Sequence, residues 1–186
     1  MRIISGKFKG KKLFLPTDKK TRPLKDLVKE SIFNLIQHSK KINIEIKESK
    51  ILDLFSGSGS FGLECLSRNS KEIYFFEKYS NAIKILKKNI SILNNSTKCK
   101  IIEDDCFDYF DSNKKLDNLF DIIFIDPPFK EIKINNLIEK IIEKNYLNKN
   151  GIIILHRHKK DNVEITKKLN VFDTRTYGIS KIYYGN

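Results

Sequence analysis

The sequence predicts an α/β protein built on a mostly parallel, doubly wound sheet, and three observations predict it. Short apolar runs alternate with amphipathic stretches across residues 50–155 in a βαβαβαβαβ rhythm, the pattern of parallel strands joined by crossover helices. A glycine-rich turn, Gly57-x-Gly59-x-x-Gly62, lies between the first core strand and the helix after it. Acidic residues end successive strands, at Glu77, Asp104-Asp105 and Asp126, on the edge where open α/β sheets bind ligands.

The elements follow in order. Arg2-Ile3-Ile4 and Lys12-Leu13-Phe14-Leu15 are expected to pair as strands around Gly6-Lys7-Phe8-Lys9-Gly10-Lys11. Thr21-Arg22-Pro23 punctuates the start of a helix running from Lys25 to about Gln37, with Leu27, Val28, Ile32, Phe33, Leu35 and Ile36 on its apolar stripe. A polar connector, 40–49, leads to strand Lys50–Phe55, the glycine turn and a helix through Arg68. Strand Glu72–Phe76, helix Ser80–Leu93, strand Lys100–Ile102 and a short helix Cys106–Phe110 come next. The run Asp121–Ile125 is short, β-branched and aromatic, and reads as a strand buried on both faces. Helix Asn135–Lys144 and strand Gly151–Leu155 follow, and Val171–Thr176 with Ile179–Tyr184 form a terminal antiparallel pair. The expected division is a basic hairpin and helix, 1–40, packed on a main domain, 41–186.

At 186 residues and 40% hydrophobic, the chain suits one globular core, and no apolar run is long enough to span a bilayer. The first residues lack the apolar segment of a signal peptide, so the cytoplasm is the expected location. Cys65, Cys99 and Cys106 are scattered, odd in number and without metal-ligand spacing, and read as reduced packing residues. Lys and Arg number 36 against 23 Asp and Glu, a net charge of +13 that suits a polyanionic partner. The basic cluster Arg2, Lys7, Lys9, Lys11 and Lys12, with Arg22 and Lys25, reads as an arm gripping nucleic-acid phosphates, interleaved with Phe8. The plain alternative is a solvated hairpin with a lysine-protected edge.

The glycine turn and Glu77, about twenty residues after its first glycine, fit a nucleotide with ribose hydroxyls, NAD included. Two features argue against NAD. Asp53 lies within the strand before the turn, and Asp104-Asp105 end the third strand. An acid-lined site repels a pyrophosphate and attracts cationic groups, which fits S-adenosylmethionine. Asp126-Pro127-Pro128-Phe129 then supplies a receptor for a flat amine: the carboxylate and a carbonyl accept its N–H bonds, and the phenyl ring stacks on the plane. Holding a conjugated amine in line with a sulfonium methyl gives methyl transfer, with Asp126 orienting and stabilising rather than acting as a strong base. His156 and His158 lack a third ligand and read as a solvated strand end, so no metal is expected. Ser56, Ser58 and Ser60 have no visible histidine partner.

Taken together, these residues resemble the RsmD-type 16S rRNA guanine-N2 methyltransferases, a class I S-adenosylmethionine-dependent family with a Rossmann-like, mostly parallel seven-stranded sheet. The likeness covers nearly the whole chain. It is carried by the block from Arg2 to Leu13, Arg22-Pro23 leading into Asp26–Asn34, the stretch Asp53–Glu64, Lys88-Asn89 and Asp126–Phe129. It implies cofactor contacts at Asp53, Phe55, Gly57, Ser58, Gly59, Glu77, Lys78, Asp105 and Cys106, and target binding at Asp126, Pro127, Pro128 and Phe129. It implies a monomer that methylates N2 of one guanine, guanine 966 by the resemblance, in the small ribosomal subunit or its assembly intermediate. The chain departs from the family at Leu24, at Tyr79 and in lysines standing for N-terminal arginines. The residues alone leave two alternatives open: an adenine-N6 methyltransferase on RNA or DNA, and a catalytically idle RNA-binding assembly factor.

Overall fold

In the computed structural model, which describes residues 1–18, 24–94 and 96–186, seven strands form one sheet. The strands are β1 (Lys50–Leu54), β2 (Glu72–Phe76), β3 (Cys99–Ile102), β4 (Phe120–Ile125), β5 (Leu147–His158), β6 (Val171–Tyr177) and β7 (Ser180–Gly185). The helices are α1 (Asp26–His38), α2 (Ser60–Ser67), α3 (Ser80–Ser91), α4 (Cys106–Asp111) and α5 (Ile134–Glu143). The spatial order is β3-β2-β1-β4-β5-β7-β6, with β1 to β5 parallel and β7 antiparallel to both neighbours. The order reverses between β1 and β4, so the crevice beyond their carboxyl ends is the natural ligand site.

Strand side chains alternate across two cores, which is why the central strands read as continuous apolar runs. Ile51, Ile73, Phe75, Ile122, Phe124, Ile152 and Ile154 face one core with buried residues of α1, α2 and α3. Leu52, Leu54, Phe76, Ile123, Ile125, Ile153 and Leu155 face the other with those of α4 and α5. Ile3, Leu13 and Leu24 belong to the first core, so the N-terminal segment packs on the same face as α2 and α3. Leu27, expected on the apolar stripe of α1, is instead 65% exposed. The helix buries Val28, Ile32, Phe33 and Ile36, spaced four, one and three apart.

The expected N-terminal strand pair narrows to one antiparallel bridge, Arg2 with Lys12. The reason is a competing set of acceptors. The N–H groups of Ile4 and Ser5 go to the Glu64 carboxylate at 2.8 and 2.9 Å, and those of Lys7 and Phe8 go to the Ser67 carbonyl and hydroxyl at 2.7 and 2.9 Å. Gly6 makes this approach possible: a Cβ there would lie 2.0 Å from the Ser67 carbonyl oxygen. Beneath the arm, fully buried Lys29 donates to the Arg2 carbonyl at 2.6 Å and sits 3.7 Å from both Glu64 and Asp26. Burial pulls the Lys29 ammonium below its usual range, against the pull of both acids.

β5 extends past both expected ends, to twelve residues, because it has a partner on each side. All three cysteines are free. Burial raises the Cys65 and Cys106 thiols and pushes Cys99 to about 12, which keeps them neutral. Among the described residues no helix is long and apolar enough to cross a membrane.

Candidate active site

A cavity of about 460 Å³ opens at the carboxyl ends of β1, β2, β3 and β4. Its wall includes Asp53, Phe55, Gly57, Ser58, Glu77, Lys78, Asp105, Cys106 and the whole stretch Asp126–Phe129. The structure thus brings together every expected cofactor and target residue except Gly59, which lies behind the wall. With φ +85°, Gly59 caps the start of α2, and a Cβ there would press on Leu86 and Leu63. Phe55 also has positive φ, +60°, a strained backbone for an aromatic residue. Its ring lies 5.6 Å from that of Phe107 in the first turn of α4.

The acids at the strand ends differ in what they do. Asp53, 1% exposed, accepts the Gly62 N–H at 2.9 Å and so ties β1 to the first turn of α2. Burial, with smaller repulsions from Asp126 and Glu77, raises its carboxyl well above the usual range. Glu77 accepts three backbone N–H bonds, from Gly57 at 2.7 Å, Lys78 at 3.0 Å and Tyr79 at 2.8 Å, which shapes the glycine turn around one carboxylate. Asp105 caps α4 through the Phe107 N–H at 2.8 Å and pairs with Lys78 across the cavity wall. Asp104 is turned aside to Lys114, whose hydrogen bond holds its carboxyl below the usual range.

At the other end of the cavity, the β4–β5 register continues from Ile125 opposite Leu155 to set Asp126 beside His156. His156 is buried, with Nδ1 2.8 Å from Asp126 Oδ1 and Nε2 2.8 Å from Ser180 Oγ. The two atoms are within contact distance but lack the alignment of a straight hydrogen bond. This overturns the reading of His156 as a solvated strand end. A strand of known end but unknown neighbours gives no sign that β7 will cover it. The next residue, Arg157, is 1% exposed and donates through Nη2 to the carbonyls of Phe129 at 3.2 Å and Glu131 at 2.8 Å. The Phe129 ring packs edge-on to His156 and His158 at 5.5 and 4.9 Å.

Asn89, fully buried, links three segments. Its Oδ1 accepts the Phe14 N–H at 2.8 Å, and its Nδ2 donates to the carbonyls of Phe14 at 3.0 Å and Ser58 at 2.9 Å. The arm, α3 and the glycine turn meet in this one amide. Leu24, the departure noted in the sequence, is buried and lines the cavity with Leu15. Tyr79, the other, donates to Asp18 at 2.9 Å.

Lys7, Lys9, Lys11 and Lys12 are exposed, but the arm tip is bonded to Ser67 at the far end of α2. That helix rises about 10 Å from the glycine turn. Arg2 pairs with Asp26 at 3.5 Å, and Lys25 is exposed at the start of α1. Arg22 lies outside the described residues. Among the described residues no group of three or more His, Cys, Asp or Glu is placed to hold a metal ion.

The residues of the cavity fit S-adenosylmethionine. The buried Ser60 hydroxyl lines it without a hydrogen-bond partner, and a Cβ at Gly57 would meet nothing within 4 Å. The strand order and this cavity define a class I, Rossmann-like methyltransferase fold. The Escherichia coli protein yhhF shares it, with a TM-score of 0.83 at 23% identity, covering 100% of this chain and 97% of that one. The chain matches the family described as conserved hypothetical protein 95 over residues 1–186, and it belongs to that family, the RsmD family. Two relatives bear the name ribosomal RNA small subunit methyltransferase D. One, from Buchnera aphidicola, is 34% identical over 99% of this chain and 89% of its own length. The other, from Haemophilus influenzae, is 32% identical over 96% of this chain and 90% of its own length.

Proposed function

We propose that the protein methylates RNA of the small ribosomal subunit, on the exocyclic N2 of a guanine, with S-adenosylmethionine as donor. The single observation that carries the reading is the placement of Asp126–Phe129 as one wall of the cavity whose other wall is the glycine turn. The names of the relatives supply the RNA class. When bound, S-adenosylmethionine supplies an electrophilic methyl on sulfonium and departs as the thioether. Asp53, Phe55, Gly57, Ser58, Glu77, Lys78, Asp105 and Cys106 would hold it, with Gly59 setting the turn.

Asp126 and the Pro127 carbonyl accept the two N–H bonds of the guanine amine and raise electron density on nitrogen. Phe129 stacks on the base. Pro128, exposed at the mouth, has no N–H to compete for those acceptors. The proton released as the N–C bond forms passes to the Asp126 carboxylate or to water, and His156 steadies Asp126 from behind. An amine extruded from its stack reaches this pocket where a stacked one does not. Residues 1–40 serve as an RNA-binding extension of the domain formed by 41–186, and the protein works as a single chain in the cytoplasm.

The test compares guanosine, naked 16S rRNA and assembled small-subunit particles as methyl acceptors at one salt concentration. RNA or particles should be far better acceptors than guanosine, which offers no phosphates to hold it in place. Equal rates on guanosine and on particles would overturn the reading.

A further inference from the structure

The arm was expected to carry the RNA, yet its lysine tip stands a helix length from the cavity. A second basic surface lies at the cavity mouth itself. Lys130 and Lys133 are exposed on the loop after Phe129, and Lys159 and Lys160 are exposed on the turn that ends β5. None of the four has an ion-pair partner among the described residues. Of the nearby acids, Asp161 is paired with Arg157 and Glu131 accepts the Lys133 backbone N–H at 2.8 Å, and the four lysines outnumber these two. Two exposed apolar side chains lie among these lysines, Ile132 at 78% and Ile179 at 41%.

The surface is built, not incidental to loose loops. Arg157 fastens the Phe129 and Glu131 carbonyls from beneath. Phe129 packs on His158, and the Lys159 N–H donates to the Ile179 carbonyl at 2.8 Å. Three turns are thus laced into one rim beside Asp126. Fixed lysines beside a base pocket meet the phosphates that flank the base, and isoleucine is among the apolar side chains that wedge against unstacked bases.

We infer that Lys130, Lys133, Lys159 and Lys160 form the rim that holds the RNA phosphates next to the target guanine, while the arm grips RNA farther away. The inference rests on the proposed RNA methylation. Each phosphate contact to single-stranded RNA contributes about 0.7 to the log–log salt slope. Losing two therefore flattens the slope by about 1.4, so that binding at 0.1 M salt weakens about 25-fold relative to binding at 1 M.

The experiment uses the full chain, a small-subunit RNA fragment and a guanine-containing oligonucleotide of about eight nucleotides. Binding is followed across salt, with calorimetry of S-adenosylmethionine as the control for folding. Lys159→Glu with Lys160→Glu should flatten the slope on both RNAs and raise KM. Lys9→Glu with Lys11→Glu should do so on the long RNA only. Lys159→Ser with Lys160→Ser should act in the same direction with a smaller effect. An unchanged slope and KM in the rim variants, with wild-type methylation intact, would overturn the rim and leave the function standing. Absence of any methyl transfer to RNA by the wild type would overturn both.

Discussion

Replacing Asn89 with Ala separates the arm from the glycine turn. The substitution orphans the buried Ser58 carbonyl and the partly buried N–H and carbonyl of Phe14. An unsatisfied buried polar group costs about 1–3 kcal/mol. About 2 kcal/mol for the buried Ser58 carbonyl and about 0.5 kcal/mol for each partly buried Phe14 hydrogen bond give a loss of about 3 kcal/mol. For a chain of this size 1 kcal/mol moves Tm by about 2–4 °C, so the variant should melt about 6–12 °C lower. The Lys88 ammonium, 3.6 Å over the Phe14 ring, should lose that contact as the arm loosens. Because Ser58 lines the cavity, affinity for S-adenosylmethionine should fall as well. Thermal unfolding with and without S-adenosylmethionine, together with calorimetry, measures both effects. A Tm within 2 °C of wild type would refute the reasoning, since it would mean that the three groups find partners without the amide.

Lys29→Met leaves Glu64 buried with only Arg68, at 3.2 Å, as a cation, and should cost about 3 kcal/mol, read by denaturant unfolding. His156→Ala should lower kcat about 10- to 100-fold with little change in S-adenosylmethionine affinity, and Asn, whose amide can take the place of Nδ1, should recover more than Gln. Near-normal kcat in the Ala variant would remove His156 from the account. Asp53 has a carboxyl raised above its unfolded value of 3.8, so the native state holds its proton longer and this contribution to stability fades as pH rises. Asp53→Asn abolishes that loss and keeps an acceptor for Gly62, so its Tm advantage over wild type should grow from about pH 4 to pH 7; an advantage that shrinks over this range would contradict the burial argument.

The parallel sheet was legible because each central strand is apolar on both faces, and Asp126–Phe129 because prolines mark a strand end without any neighbour. What the sequence hid depends on register and on competition. His156 meets Asp126 only because β4 and β5 align, and it is covered only because β7 folds back onto β5. The N-terminal strand pair shrank to one bridge because Glu64 and Ser67, some sixty residues away, take the N–H groups of Ile4, Ser5, Lys7 and Phe8. Asp105 showed the opposite problem: one carboxylate serves as a helix cap and as a cavity wall, and spacing alone does not separate the two. No spacing singles out Arg157, yet its guanidinium is buried beneath the loop after Pro128.

The central claim is that Asp126 presents a guanine amine for methylation. The direct measurement is nucleoside mass spectrometry of small-subunit RNA treated with the purified protein and S-adenosylmethionine carrying a labelled methyl group. The account predicts label in N2-methylguanosine with the wild type and its near-complete loss in Asp126→Ala, while calorimetry shows cofactor affinity little changed. Label in N6-methyladenosine, no label in any nucleoside, or undiminished N2-methylguanosine in Asp126→Ala would contradict it.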